Sequence, residues 1–137
     1  MNTPLLLDTC AAIWAAEDQL APAAADLLTQ SYRRGEPVYL SPITAWELGL
    51  LFSRGRLRAA RSPLDYFRHL INLPGVRLAA MPPELLLASS FLPDSPPSDP
   101  ADRIMATTAR EYGYTLMTRD DRLLAYAEQG HIRAFAC

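Results

Sequence analysis

The stretch SDPADRIMATTAREYGYTLMTRDDRL, residues Ser98 to Leu123, carries a helix, a strand and the start of a second helix, with two aspartates at each junction. Asp99-Pro100-Ala101-Asp102 has the layout of a helix start, with Asp99 as cap, Pro100 at the first helical position and Asp102 in the first turn. The helix predicted from Asp99 to Tyr112 runs into a short apolar strand at TLM, and DRLLAYAEQ follows as a helix. Thr118 and Asp121 have capping-box spacing, and Asp120 could cap that last helix itself. A helix feeding a strand that feeds a helix is the repeating unit of a parallel sheet. The question it raises is why Asp99, Asp102, Asp120 and Asp121 gather there with no lysine near them.

The rest of the chain repeats the unit. PLLLD reads as a short buried strand, AAIWAAE and the alanine-rich PAAADLLTQSYRR as helices, and VYL as the next strand. Ser41-Pro42 looks like a cap followed by a proline at the first helical position, opening ITAWELGLLFSR, which ends at Gly55. SPLDYFRHLINL opens in the same way. A strand at VRLAA, a helix after Pro82-Pro83 and a last strand IRAF complete the pattern, and the prolines 93, 96, 97 and 100 mark a loop from Leu92 to Ser98. Short apolar strands alternating with helices predict an α/β fold, a parallel sheet of four to five strands in a three-layer α/β/α arrangement. At 137 residues the expectation is one domain spanning residues 1–137.

Composition removes several function classes. The formal net charge is -2, so no global positive field draws the chain to nucleic acid and any polyanion contact must be local. All 13 basic residues are arginine, which excludes a phosphate-binding P-loop and a receiver domain, since each needs a lysine. No apolar run reaches membrane-spanning length, and MNTPLLLDTC is no signal-peptide core. Cys10 and Cys137 could form at most one bridge and cannot make a zinc site alone. A cytoplasmic protein is expected.

The remaining acids have competing readings. Asp8 ends a strand, where ligands collect in open parallel sheets, but it could equally cap the helix that follows. Glu47 lies beside an apolar stripe of Ile43, Trp46, Leu50 and Leu51 and needs a partner there, unless it pairs with Arg54 or sits at the rim. Capping would explain each aspartate singly. Taken together, Asp8, Glu47, Asp102 and Asp120 all fall just after a strand or in a helix that could start at the same sheet edge, and four separate caps have no evident reason to converge. Two carboxylates about 5 Å apart repel by roughly 3 kcal/mol at an effective dielectric of about 20. Protons or a cation must therefore occupy the centre, and an all-oxygen donor set selects magnesium or manganese.

LLLDTCAAIW, LSPITAWELGLLFSRGRL and SDPADRIMATTAREYGYTLMTRDDRL, taken in that order, resemble a PIN-domain nuclease of the VapC toxin type. The resemblance implies a divalent-metal-dependent endoribonuclease, with Asp8, Glu47, Asp102 and Asp120 as metal-binding and catalytic acids. Thr9 and Thr118 match hydroxyls beside that site, Arg119 lies in the same turn, and Asp121 is left to cap the helix. A cognate antitoxin lying in an apolar groove and a homodimer are likewise implied. In this reading Mg2+ or Mn2+ activates the attacking water and polarises the scissile phosphate, so no side-chain nucleophile is needed. RNA affinity would come from the local arginines of RGRLRAAR, namely Arg54, Arg56, Arg58 and Arg61, unless these form a solvated, salt-bridged turn. Cys10 stands where many relatives have histidine, and His69, His131 and Cys137 fall outside every motif. The alternative is a PIN-fold interaction module that cleaves nothing. A haloacid-dehalogenase-type phosphatase needs a second acid where this chain has Cys10.

Overall fold

A computed structural model describes residues 3–137. Five short strands form one all-parallel sheet: β1 (Leu5–Leu7), β2 (Val38–Leu40), β3 (Val76–Leu78), β4 (Thr115–Thr118) and β5 (Arg133–Ala136), in the order β3-β2-β1-β4-β5. Seven helices connect them among the described residues: α1 (Thr9–Ala16), α2 (Pro22–Arg33), α3 (Ile43–Ser53), α4 (Pro63–Ile71), α5 (Pro83–Ala88), α6 (Pro100–Tyr112) and α7 (Asp121–Glu128). A 3-10 turn over Ser89–Phe91 follows α5, which the sequence pattern did not suggest.

Side chains alternate across a pleated strand, and that alternation divides the core in two. Leu5 and Leu7 of β1, Val38 and Leu40 of β2 and Met117 of β4 face α1, α2, α3 and α4, where Ala12, Ala24, Leu48 and Leu70 meet them. Leu6 and Leu116 point the other way, onto Met105, Ala106 and Ala109 of α6 and Leu123 and Tyr126 of α7. The three-layer arrangement follows directly, because β1 is buried on both faces and reads as an unbroken apolar run. No helix among the described residues is long and apolar enough to cross a membrane.

Local chemistry sets most boundaries. Ser62 caps α4 by accepting from the Asp65 amide at 3.2 Å, and Gly113 ends α6 at φ 70, a left-handed conformation that glycine adopts without cost from a Cβ. One expected opening differs. At α3 it is Pro42 that occupies the cap position, while the Ser41 hydroxyl one residue earlier accepts from the Ile43 amide at 3.1 Å. The loop before α6 is tied to the body by Tyr126, whose hydroxyl donates to the Pro93 carbonyl at 2.7 Å.

The strand order reverses between β1 and β4: from β1 the chain adds β2 and β3 on one side, then β4 and β5 on the other. Connections diverge at such a switch point, and a crevice opens beyond the carboxyl ends of the two strands. Leu116 is fully buried on β4 and packs in the core layer formed with α6 and α7. Leu116→Ala is expected to cost about 2 to 5 kcal/mol, read as a lower urea midpoint at unchanged slope; a shift of only a few tenths would mean that this layer collapses to fill the gap.

Candidate active site

Asp8 follows β1 at this crevice and uses its two oxygens differently. Oδ1 accepts from the Ala11 amide at 2.8 Å and caps α1. Oδ2 accepts from the Thr118 hydroxyl, the last residue of β4, at 2.5 Å. The same Thr118 oxygen accepts from the Asp120 amide at 3.0 Å, so one buried hydroxyl ties the ends of β1 and β4 together and aims the turn that carries Asp120. The cap and ligand-site readings of Asp8 are therefore not alternatives.

Asp120 is also a cap: its Oδ1 accepts from the amides of Arg122 and Leu123 at 2.8 and 3.2 Å. This corrects the assignment of that cap to Asp121, which is instead the first residue of α7, is exposed and is absent from the cavity wall. An acid at the cap position reaches two amides of the first turn, whereas a side chain one residue later points back along the helix. Asp99 caps α6, accepting from the Asp102 amide at 3.1 Å. Three acid-capped helices thus start around one crevice, so caps do have a reason to converge. A parallel sheet delivers the ends of β1 and β4, and hence the starts of α1 and α7, to one edge, and the loop after the 3-10 turn brings the start of α6 to the same cavity.

Glu47, one turn into α3, accepts from the Thr9 hydroxyl at 2.5 Å, and that hydroxyl also lies 3.1 Å from Thr44 Oγ1. The buried residues of α3 are Thr44 and Leu48, while Trp46 is 55% exposed; the stripe expected through Ile43, Trp46 and Leu50 is displaced by about one residue around the helix. Glu47 makes no ion pair with Arg54; the only ion pair among the described residues joins His131 to Asp94 at 2.6 Å.

Asp8, Glu47, Asp102 and Asp120 line one open cavity of about 440 Å³, together with Asp99, Thr9, Cys10, Trp14 and Arg119. Asp99 is the residue that sequence reasoning missed as a site acid, because its Asp-Pro context is fully explained by capping and only space brings it to Glu47 and Asp102. The acids act on one another. Burial pushes the Asp102 carboxyl up to about 7, with Asp120, Asp99, Glu47 and Asp8 adding to the rise. Burial likewise raises Glu47, against the Thr9 hydrogen bond and with help from Asp8 and Asp99. It raises Asp8 against the lowering effect of its Thr118 and Ala11 hydrogen bonds. Partial burial and the same negative field hold the Cys10 thiol up at about 11. Cys137 is not simply terminal: it is buried in the core beside β4, its amide donating to the Thr118 carbonyl at 3.1 Å.

Carboxylate and hydroxyl oxygens dominate the wall, and no imidazole is present in it. That donor set fits a hard divalent cation. Among the described residues no three ligating side chains are gathered closely enough to hold a metal ion together. Arg54, Arg56, Arg58 and Arg61 are all exposed and, like every arginine among the described residues, make no ion pair with an aspartate or glutamate. The turn is solvated but not salt-bridged. Arg54 lines a second cavity of about 340 Å³ that shares Thr9, Cys10, Glu47 and Asp99 with the first. His69 is exposed on α4, and His131 is engaged with Asp94.

A family model described as "PIN domain" matches residues 5–129. Ribonuclease VapC22 of Mycobacterium tuberculosis (strain ATCC 25618 / H37Rv) is 33% identical over 126 residues, 92% of this chain and 93% of that protein. Two solved structures share the fold. VapBC2 from Rickettsia felis, bound to a DNA fragment from their promoter, has a TM-score of 0.68 at 11% identity, covering 96% of this chain and 97% of that one. DNA-bound VapBC from Salmonella typhimurium has a TM-score of 0.66 at 17% identity, covering 98% of both chains.

The raised carboxyls predict a pH dependence. A carboxyl whose folded-state pKa lies above its unfolded value binds its proton more tightly in the native protein, so its stabilising contribution is full below the unfolded value and is lost as pH rises through the folded one. For Asp102 that window runs from the ordinary 3.8 to about 7. In chelator, the thermal midpoint should fall as pH rises across this range, and Asp102→Asn should flatten the fall. A variant as pH-sensitive as the parent would place the repulsion elsewhere.

Proposed function

The chain belongs to the PIN-domain family, and from that premise we propose that it is a Mg2+- or Mn2+-dependent endoribonuclease, the toxin of a toxin–antitoxin pair, acting in the cytoplasm. The observation that carries this reading is the set of five carboxylates in one open cavity at the β1/β4 switch point, with no histidine in its wall. Asp8, Glu47, Asp102 and Asp120 would hold the ion, which when bound supplies Lewis-acid activation of water and of the scissile phosphate.

The chain's own residues prepare that site. Thr118 and the Ala11 amide fix both oxygens of Asp8, and Thr9 fixes Glu47. Asp99 orders the first turn of α6 and so sets the position of Asp102. Asp120 commits Oδ1 to the start of α7, and Oδ2 has no hydrogen-bond partner among the described residues. Among the described residues Asp102 accepts no hydrogen bond from another side chain, which leaves its carboxylate open towards the cavity. The exposed arginines 54, 56, 58 and 61 supply a local cationic surface for RNA beside an otherwise acidic wall.

The antitoxin reading draws on the second cavity, where Trp46, Leu50 and Leu51 present apolar surface next to Glu47 and Asp99. A partner segment seated there would cover exposed apolar area and obstruct the acid cavity together. Homodimerisation belongs to the same family reading, and sedimentation of the purified chain tests it. Against the interaction-module alternative stands the retention of all four acids in the wall of one cavity, although no three of them gather around a common point among the described residues.

Purified protein in Mn2+ should cleave total RNA, and chelator or Asp8→Asn should abolish cleavage. Fragments should carry a 5′-phosphate and a 3′-hydroxyl by mass spectrometry, because water attacks in line with the departing 3′-oxygen. A 2′,3′-cyclic phosphate would instead require a general acid and base, and finding one would sink the metal-water mechanism.

Asp120→Asn preserves a good capping residue while removing a charge, so stability should hold within about 1 kcal/mol while activity falls steeply. Asp121→Asn should leave activity near that of the parent. Equal losses in two folded variants would show that the acid turn is read in the wrong register.

A further inference from the structure

Among the described residues Arg119 is the only cation in the wall of a cavity that holds five carboxylates, yet it forms an ion pair with none of them. Coulomb attraction would draw a flexible guanidinium onto such a cluster, so other contacts must hold it back. Two do. Its Nε and Nη2 donate to the backbone oxygen of Cys137 at 3.1 and 2.6 Å, and its Cζ lies 3.6 Å from the centroid of the Trp14 ring. Both anchors are built into the fold, since Cys137 is buried at the end of β5 and Trp14 sits on α1, the helix capped by Asp8. Nη1 makes no hydrogen bond within the described residues.

We propose that Arg119 is a phosphate clamp: Trp14 and the Cys137 backbone oxygen keep its guanidinium off the side-chain carboxylates, so that Nη1 donates to a non-bridging oxygen of the RNA phosphate at the acid cavity. This rests on the ribonuclease reading of that cavity. The chemistry requires such a group, because the acids that hold a cation also repel the polyanion, and a guanidinium keeps its charge at any working pH. An arginine collapsed onto the acids would do the opposite, neutralising the cage and leaving nothing for the substrate. Stacking on an indole leaves the edge of the guanidinium plane available for hydrogen bonds, which an ion pair with Asp120 or Asp102 would consume.

The test uses the full chain with Mn2+, and adenosine 5′-monophosphate as the phosphate probe, by calorimetry alongside RNA cleavage. Arg119→Gln should bind Mn2+ at least as tightly as the parent, bind the monophosphate about tenfold or more weakly, and lose about 10²-fold in cleavage rate. Arg119→Lys should rescue little, lacking the planar fork. Trp14→Leu frees the guanidinium to fall onto the carboxylates, so Mn2+ affinity should drop, and the double variant Trp14→Leu/Arg119→Gln should restore it; a purely structural Trp14 would not show that reversal. Arg119→Gln that binds the monophosphate and cleaves like the parent overturns the clamp, as does Mn2+ affinity that falls in Arg119→Gln alone or stays unchanged in Trp14→Leu. If the parent cleaves no RNA yet binds the monophosphate through Arg119, the ribonuclease reading fails and the clamp stands. If it neither cleaves nor binds, both fail.

Discussion

The hydrogen bond from the Thr118 hydroxyl to Asp8 joins the carboxyl ends of the two central strands, and the chemistry of this protein depends on that junction. β1 and β4 are parallel neighbours, so their ends meet at one edge, and the strand order reverses between them. One hydroxyl there fixes an oxygen of Asp8 and receives the amide of Asp120. The core beneath is apolar on both faces of β1, which holds that edge rigid enough for two separate turns to present acids to a shared space.

Helix capping and site building turn out to be one device. Asp8, Asp99 and Asp120 each satisfy the orphan amides of a helix start, which favours an ionised carboxylate there. The three starts are adjacent, however, so the caps that stabilise individual helices repel one another across the cavity. Burial adds to the same penalty, and Asp102, which accepts no side-chain hydrogen bond, registers it most clearly. A nearby arginine could relieve this repulsion and is held away from doing so by Trp14 and Cys137. Unrelieved like charge in an ordered cavity marks a candidate functional site.

Much of the architecture was legible in the residues. The apolar triplets of β1 and β2, the proline and serine openings of α4 and α6, and the acids after strands all follow from rules acting within a few residues. The errors occurred where local rules tie. Asp120 and Asp121 both suit a helix start, and only the backbone at Asp120 decides which one caps. Glu47 and Trp46 are neighbours on a helix rich in apolar residues on several sides, so periodicity alone left the buried stripe ambiguous by about one position. Asp99 carried a complete local explanation and gave no reason to look further.

By itself, then, the sequence determined the alternation of strand and helix, the parallel class of the sheet and the identity of four candidate acids, because each rests on short-range periodicity, capping chemistry and the order of motifs along the chain. Tertiary structure alone decided the reversal of strand order between β1 and β4, the recruitment of Asp99 as a fifth wall acid, and the burial of Cys137 beside the site. It alone set Arg119 against Trp14, 105 positions earlier in the chain. These depend on which distant segments share an edge, and that is set by how two apolar faces of one sheet are covered at once rather than by any residue's near neighbours.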